Sequence, residues 1–268
     1  MAVFRIGALA ALGLFVASSA QISQAMADGM GDVRGSLSAD YDRYDFQGAG
    51  ANQWNATGSV VLVISDPGPD IQVNFDNSGL RTHGVADADK WDFGGDAYWR
   101  DYAGDFGVNI TENSIASGSG GNYLSGGFFG EFYAFPGLTL RAKGGRLQGD
   151  IKGWYADTGL VYYPLNQIAI SMTGDYARFK DNGPQLTDGQ ISIEYLPVRD
   201  VPISISLNYT FARYNNVASG FGGDTSIFSI AVKAYFGGGG RNGGLVDYQR
   251  NGPTDWDGAP SAILGSSF

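Results

Sequence analysis

Few residues in this chain could do covalent chemistry. The sole histidine, His83, lies in NSGLRTHGVADAD (77–89), close to Ser78 and Asp76. A serine, a histidine and an aspartate can supply a nucleophile, its base and a carboxylate to orient the base. Their spacing fits no such arrangement, and a histidine in a polar loop is ordinarily surface. Asp87, Asp89 and Asp92 offer oxygen ligands of the kind a divalent cation takes, yet acids spaced along a polar loop are equally what solvation produces. There is no phosphate loop, no G-x-S-x-G, no H-E-x-x-H and no cysteine. GGFFGEF (126–132) is glycine-rich but reads as strand. Asn109 and Asn208 head N-x-T sequons that fall within strands, in an inward register. No enzymatic activity, metal or cofactor is expected.

Two other sets of residues carry a pattern. Glu131, Arg141, Lys143, Asp157, Asp175, Glu194 and Lys233 each stand on the polar side of a segment that alternates polar and apolar. Arg43, Arg146, Arg178 and Arg213 end the apolar side of such segments; three of them come two residues after an aromatic (Tyr41, Tyr176, Phe211). The first set could line a polar interior. The second could grip phosphate groups bidentately, or simply mark where a strand meets water.

The elements that must position these residues are strands. Period-two alternation runs almost throughout residues 28–236 and helical periodicity is nearly absent. Twelve strands are expected, near 35–46, 56–65, 70–77, 90–101, 105–112, 122–135, 138–147, 151–163, 167–179, 189–197, 202–214 and 225–236. In 202–214 one face is Ile203, Ile205, Leu207, Tyr209 and Phe211, and the other is Ser204, Ser206, Asn208, Thr210 and Ala212. Connections alternate between short, mostly proline-containing turns (66–70, 102–104, 136–137, 164–166, 197–202) and longer polar loops (47–55, 77–89, 113–121, 180–188, 215–224). The connection at 148–150 is the exception, short where a long loop is due. This order describes an antiparallel meander with its long loops at one end and its termini at the other.

Composition agrees. Only 16% of residues are charged and 13% are aromatic, glycine is abundant at 42, and the formal net charge of −10 with no basic run argues against nucleic acid. The N-terminus has the layout of a cleavable secretory signal over residues 1–27. MAVFR is followed by an 11-residue apolar run, Ile6 to Val16, and an A-x-A site at Ala25-Met26-Ala27. A helix of that length, at about 1.5 Å per residue, cannot cross a hydrocarbon layer of about 30 Å.

A soluble β-sandwich would alternate in the same way, with its apolar face inward. The secretory signal, the aromatics near strand ends (Tyr162, Tyr163, Tyr209, Phe211, Tyr235, Phe236) and the regular connections favour a sheet closed on itself. Closure leaves no edge for lipid to face.

The chain resembles Gram-negative outer-membrane β-barrel proteins over residues 35–236. SIFSIAVKAYF (226–236) looks like their C-terminal signature strand, with Phe228, Ile230, Val232, Ala234 and Phe236 on one face and an aromatic at the end. The resemblance implies an all-β, closed, antiparallel up-and-down transmembrane barrel of about 12 strands in the outer membrane. It also implies that 226–236 is read by the barrel-insertion machinery. The family's signature usually ends the protein, whereas 32 residues follow Phe236 here.

The expected layout is a signal peptide (1–27), a barrel (28–236) and a Gly-rich periplasmic tail (237–268). The expected role is passive, porin-like passage of small hydrophilic solutes by a monomer, with lipopolysaccharide as a further contact of the four arginines. A non-conducting barrel acting structurally or adhesively through its outside loops is the alternative. Whether the tail hangs free or folds into the pore bears on that choice.

Overall fold

In a strand that alternates polar and apolar residues, every side chain of one kind points to one side of the sheet. Such strands can hide one side completely only by closing into a cylinder. The chain does this. The computed structural model describes residues 32–46, 49–65, 67–82, 88–116, 121–180, 185–198, 201–216, 221–237 and 244–254. The strands are β1 (Val33–Phe46), β2 (Ala49–Val63), β3 (Gly68–Thr82), β4 (Ala88–Asp101), β5 (Gly104–Ala116) and β6 (Asn122–Phe135). They continue with β7 (Leu138–Gly149), β8 (Gly153–Leu165), β9 (Ile168–Phe179), β10 (Gln185–Tyr195), β11 (Ile203–Asn216) and β12 (Phe221–Phe236). Each pairs antiparallel with its sequence neighbours, and β12 returns to β1 with Gly35 opposite Phe236 and Phe46 opposite Thr225, closing a twelve-strand barrel.

The apolar side faces out. Phe128, Phe106 and Phe93 are 74%, 64% and 63% exposed, and large apolar side chains project from the outside of every strand in the ring, for example Val60, Val73, Leu140, Ile193 and Ile230. A continuous apolar belt of this kind is built for lipid rather than water. Aromatic pairs bridge neighbouring strands in its upper part, Tyr41 with Trp54 (4.7 Å), Phe75 with Trp91 (5.6 Å) and Trp154 with Tyr176 (5.1 Å). Here "upper" is the end opposite the short connections; "lower" is the end where those connections, Val33 and Phe236 lie. Among the described residues no helix is long and apolar enough to cross a membrane.

Five strands run at least four residues further upward than their patterns suggest, β5 to Ala116 and β10 from Gln185 among them. β2 begins at Ala49, not near residue 56, so that Phe46 faces Ala49 and the expected long loop at 47–55 shrinks to a two-residue connection. β3 continues to Thr82 and β12 starts at Phe221. The cause is the same in each. Above the apolar belt the outer face no longer needs apolar residues and the inner face is lined by polar or small ones such as Gln53 and Ser78, so the alternation of polarity disappears while the backbone ladder continues.

At the lower end, Gly237 holds φ at +64°, and a Cβ there would lie 2.3 Å from the carbonyl oxygen of Val33. A glycine is therefore needed where the chain leaves β12. The chain is next described at Gly244, where a short helix, α1 (Leu245–Asn251), sits inside the lower mouth. His83, Asp87 and the candidate signal (1–27) lie outside the described residues.

Candidate functional site: the lumen and its lower mouth

The inner wall is hydrophilic, but unevenly so. On β4, β5 and β6 the inward side chains are almost wholly buried, among them Asp92, Asp96, Asn109, Asn113, Ser125 and Phe129. Inward glycines let this packing close. A Cβ on Gly145 would lie 2.3 Å from the carbonyl oxygen of Gly126 and 2.6 Å from the Tyr155 hydroxyl, so the absence of a side chain is what seats that ring. On β9 to β12 and β1 to β3 the inward side chains are buried toward both ends of the barrel, but at mid-height they are only half-buried. Ser38, Asn55 and Thr57 stand on one side of this arc, and Gln190, Ser192 and Asn208 on the other. They form a hydrogen-bonded lattice. Ser38 bonds Thr57, Asn55 donates to Asp42 (2.7 Å), Gln190 donates to Thr210 (3.1 Å) and Ser192 donates to Asn208 (2.5 Å).

The seven ionisable residues expected in the lumen all sit on the inward register, but they fall into different settings. Glu131 is buried against Arg141, with Nε 3.1 Å from the carboxylate. Lys143 is buried, its ammonium 5.7 Å from the centre of the Tyr155 ring. Asp157 and Asp175 stand side by side across β8 and β9, half-buried, and Lys233 is half-buried on β12. Glu194 accepts from Ser204, from Tyr235 (2.6 Å) and from Gln249 of α1 (2.8 Å).

The largest ionic cluster was not among those seven. Arg100 lies between Asp70 (3.0 Å) and Asp105 (3.8 Å), and all three side chains are essentially buried. Lys90 pairs with Asp92 on the same β4. The region 77–105 shows poor alternation, because Gly94 and Gly95 interrupt it. The one available signal was position. Asp70, Arg100 and Asp105 all flank short lower turns, which antiparallel pairing brings together. Of the three acids, Asp87 lies outside the described residues, while Asp89 and Asp92 lie on β4. Asp92 points inward to Lys90, and no group of three or more potential ligands gathers among the described residues.

Tyr163 and Tyr235, expected in an outer aromatic girdle, instead face inward and are buried, since each falls on the lumen parity of its strand. Both hold α1. Leu245 is fully buried among Val161, Tyr163, Ala169, Leu196 and Tyr235, and its N–H donates to the carbonyl of Asn166 (2.7 Å) in the β8–β9 turn. Tyr248 stacks on Tyr235 with ring centroids 5.2 Å apart. The Tyr163 hydroxyl donates to Gln249 (2.8 Å). Arg250 donates to Thr139 (3.1 Å) and to the carbonyls of Phe135 (2.8 Å) and Leu138 (3.0 Å), with its guanidinium 4.6 Å from the Tyr133 ring centre.

The far end of the segment reaches the opposite wall. Helix C-termini leave carbonyls without intrahelical partners and favour nearby cations. Here Arg100 donates to the carbonyls of Arg250 (3.1 Å) and Gly252 (2.8 Å), and Arg34 to that of Asn251 (2.9 Å). Thr254 then pairs with Gln72 on β3, N–H to Oε1 (2.9 Å) and Nε2 to carbonyl (2.9 Å). In the ring order β9 and β3 are diametrically opposed. Twelve strands about 4.8 Å apart and tilted by about 40° make a ring roughly 24 Å across. Seven helical and three extended residues reach roughly 20 Å. Gly244–Thr254 thus crosses the mouth.

On the outer face, Arg146 and Arg178 flank Trp154 across β7, β8 and β9. A surface hollow of about 500 Å³ lies beneath, lined by Gly126, Gly127, Phe128, Gly145, Arg146 and Trp154. Arg213 differs, being exposed and bonded to Asp224 through Nε at 2.8 Å and a terminal nitrogen at 3.3 Å. Arg43 is exposed above Tyr41.

No family model matches the chain, and no curated protein matches it. Solved structures do share its fold. The KdgM porin is similar at a TM-score of 0.52 and 9% identity, covering 74% of this chain and 99% of the porin. The NanC porin is similar at 0.54 and 10%, covering 73% and 98%. An outer membrane channel from Pseudomonas putida F1 is similar at 0.55 and 9%, covering 78% and 97%. The chain has the closed β-barrel fold of outer-membrane porins and channels.

Proposed function

We propose that this protein is a passive, monomeric channel of the outer membrane for small hydrophilic solutes. The observation that carries the reading is a half-buried, mid-height band of polar side chains from β9 to β12 and on to β3, hydroxyls and amides with carboxylates among them, inside a barrel whose exterior is apolar. Such a wall can replace hydrogen bonds that a solute gives up on leaving water. Asp157, Asp175, Arg141 and Lys233 place charges of both signs beside the path, whereas Glu131 and Lys143 serve packing and Glu194 serves α1. In the similar KdgM porin the bound solute is an oligogalacturonate; a hydroxyl-rich solute suits the hydroxyl and amide groups of the arc here. The belt of apolar side chains lets lipid surround a single barrel, and β12, which closes it, is the strand offered to the insertion machinery. Pure refolded protein in planar bilayers is expected to give single-channel currents, and their absence under all polarities would overturn the reading. The alternative of a non-conducting envelope barrel is favoured by one feature, the segment across the lower mouth.

Arg146 and Arg178 extend the proposal to lipid. Two guanidinium groups beside an indole, at the upper edge of the apolar belt and above a hollow, suit a phosphorylated lipid such as lipopolysaccharide. Arg213 is spent on Asp224, so its share in such a contact is smaller.

A further inference from the structure

The contacts of Gly244–Thr254 divide into two kinds. At the β8–β9 side the anchor is apolar, with Leu245 buried in a cluster of wall side chains and Tyr248 stacked on Tyr235. At the opposite side the wall partners are polar: Arg34 on β1, Gln72 on β3, Arg100 on β4 and Tyr133 on β6 each bond a backbone group or hydroxyl of residues 250–254. A buried apolar side chain leaves its cluster only at the cost of exposing its surface. The polar contacts at the other end are buried as well, but once the segment lifts each donor and acceptor can take water in exchange, at small net cost. The two ends of the segment therefore differ in how readily they let go.

We infer that Gly244–Thr254 is a gate of the channel, hinged at Leu245 and latched to the opposite wall by Arg100 and Gln72. The latch is aimed at main-chain carbonyls and at the Thr254 N–H, which any sequence offers. What makes it specific is the wall. Arg100 is held in place by Asp70 and Asp105, and Gln72 is fully buried and donates to Asn74 (2.7 Å) as well. Arg250 sits between hinge and latch, its side chain fixed on the lower ends of β6 and β7. When latched, the segment lies between the half-exposed arc and the lower opening. When released, residues 251–254 swing clear while Leu245 and the Arg250 side chain keep the segment at the rim.

The inference rests on the channel reading, so its test separates the two. The chain has no cysteine, which permits a single Thr254→Cys probe in the full-length protein. Docked, this thiol reacts slowly with a bulky maleimide; adding Arg250→Ala is expected to speed the reaction at least tenfold. In bilayers, Arg250→Ala with Thr254→Pro should raise open probability at least tenfold. Bridging Gln72→Cys to Thr254→Cys with a short reducible dithiol reagent should suppress current until reductant is added. Heat-modifiable migration of each variant confirms a folded barrel. If Thr254→Cys in the parent reacts as fast as in unfolded protein, the segment does not dock and the gate is refuted. If the bridged protein conducts as well as the unbridged, the segment lies outside the path and the gate is refuted. If labelling behaves as expected and no variant conducts, the channel reading fails and the gate falls with it.

Discussion

Replacing Arg100 by Met tests how the polar interior is held together. Arg100 is 4% exposed, lies between two buried carboxylates, and donates to the Tyr98 hydroxyl at 2.8 Å as well as to two carbonyls of the C-terminal segment. Methionine keeps much of the side-chain length but leaves Asp70 and Asp105 buried without their counter-charge. Removing one partner of a buried ion pair costs about 3–5 kcal/mol, mostly from the stranded charge. At a urea slope of about 2 kcal/mol/M this lowers the unfolding midpoint by roughly 1.5–2.5 M. The assay is tryptophan fluorescence of the barrel refolded in lipid vesicles, across a urea series. The informative comparison is the triple variant Arg100→Met, Asp70→Asn, Asp105→Asn, in which no charge is stranded. It should recover more than half of the loss. A single-variant midpoint within about 0.3 M of the parent would show that water reaches the site and screens it. A triple variant no better than the single would show that the lost carbonyl contacts, not the carboxylates, set the cost.

Two further outcomes follow from the wall. Gly145→Val should destabilise the barrel by about 1–3 kcal/mol or block its folding, because backbone oxygen and the Tyr155 hydroxyl occupy the added volume; Gly144→Val, whose Cβ meets nothing nearer than 3.5 Å on the outer face, should fold with a midpoint near the parent. Replacing both Arg146 and Arg178 by Gln should abolish most of the thermal stabilisation that lipopolysaccharide gives over neutral detergent, while Arg213→Gln alone changes it little; equal stabilisation of all three proteins would exclude the phosphate contact.

The number of strands, their order and the side each residue faces were legible because lipid imposes a strict rule on the outer face. Ile205, Leu207, Tyr209 and Phe211 share one face, and the regular connections and secretory signal turn that face toward lipid rather than toward a sandwich core. Where that rule lapses, the sequence goes quiet. Ala49–Trp54 lies in a strand, yet its inward residues are small or polar (Ala51, Gln53) and lipid no longer selects the outer ones, so no alternation of polarity marks it. The lumen is legible only in polarity. Glu131 and Arg141 were visible as inward residues, but their mutual burial depends on pairing of β6 with β7. Asp70, Arg100 and Asp105 meet only when three strands close. Tyr163 and Tyr235 carry the composition of a membrane girdle and the parity of the interior, and parity decides. The docking of Gly244–Thr254 had no local signal either. Its helix is seven residues long, too short to be stable alone, and its partners lie up to 182 positions away.

Barrels of about eight strands are filled by their own side chains, and those of about sixteen enclose water. A twelve-strand barrel must divide its interior between the two uses, and this one does so by sector. β4 to β6 face inward with large, paired or hydrogen-bonded groups, and they fill their share as a soluble core would. β9 to β12 and β1 to β3 are packed near their ends, but at mid-height they face inward mostly with short polar side chains that leave space. The C-terminal segment connects the two sectors. Its apolar end rests on β8 to β12, and its polar end is received by Arg100 and Gln72, in or next to the packed side. A rigid sector is the better support for a latch, because a donor held by two carboxylates keeps its aim when the segment departs. The same Arg100 therefore serves two ends. It neutralises charges that the packed sector has buried, and it presents the fixed donors against which the mouth can close.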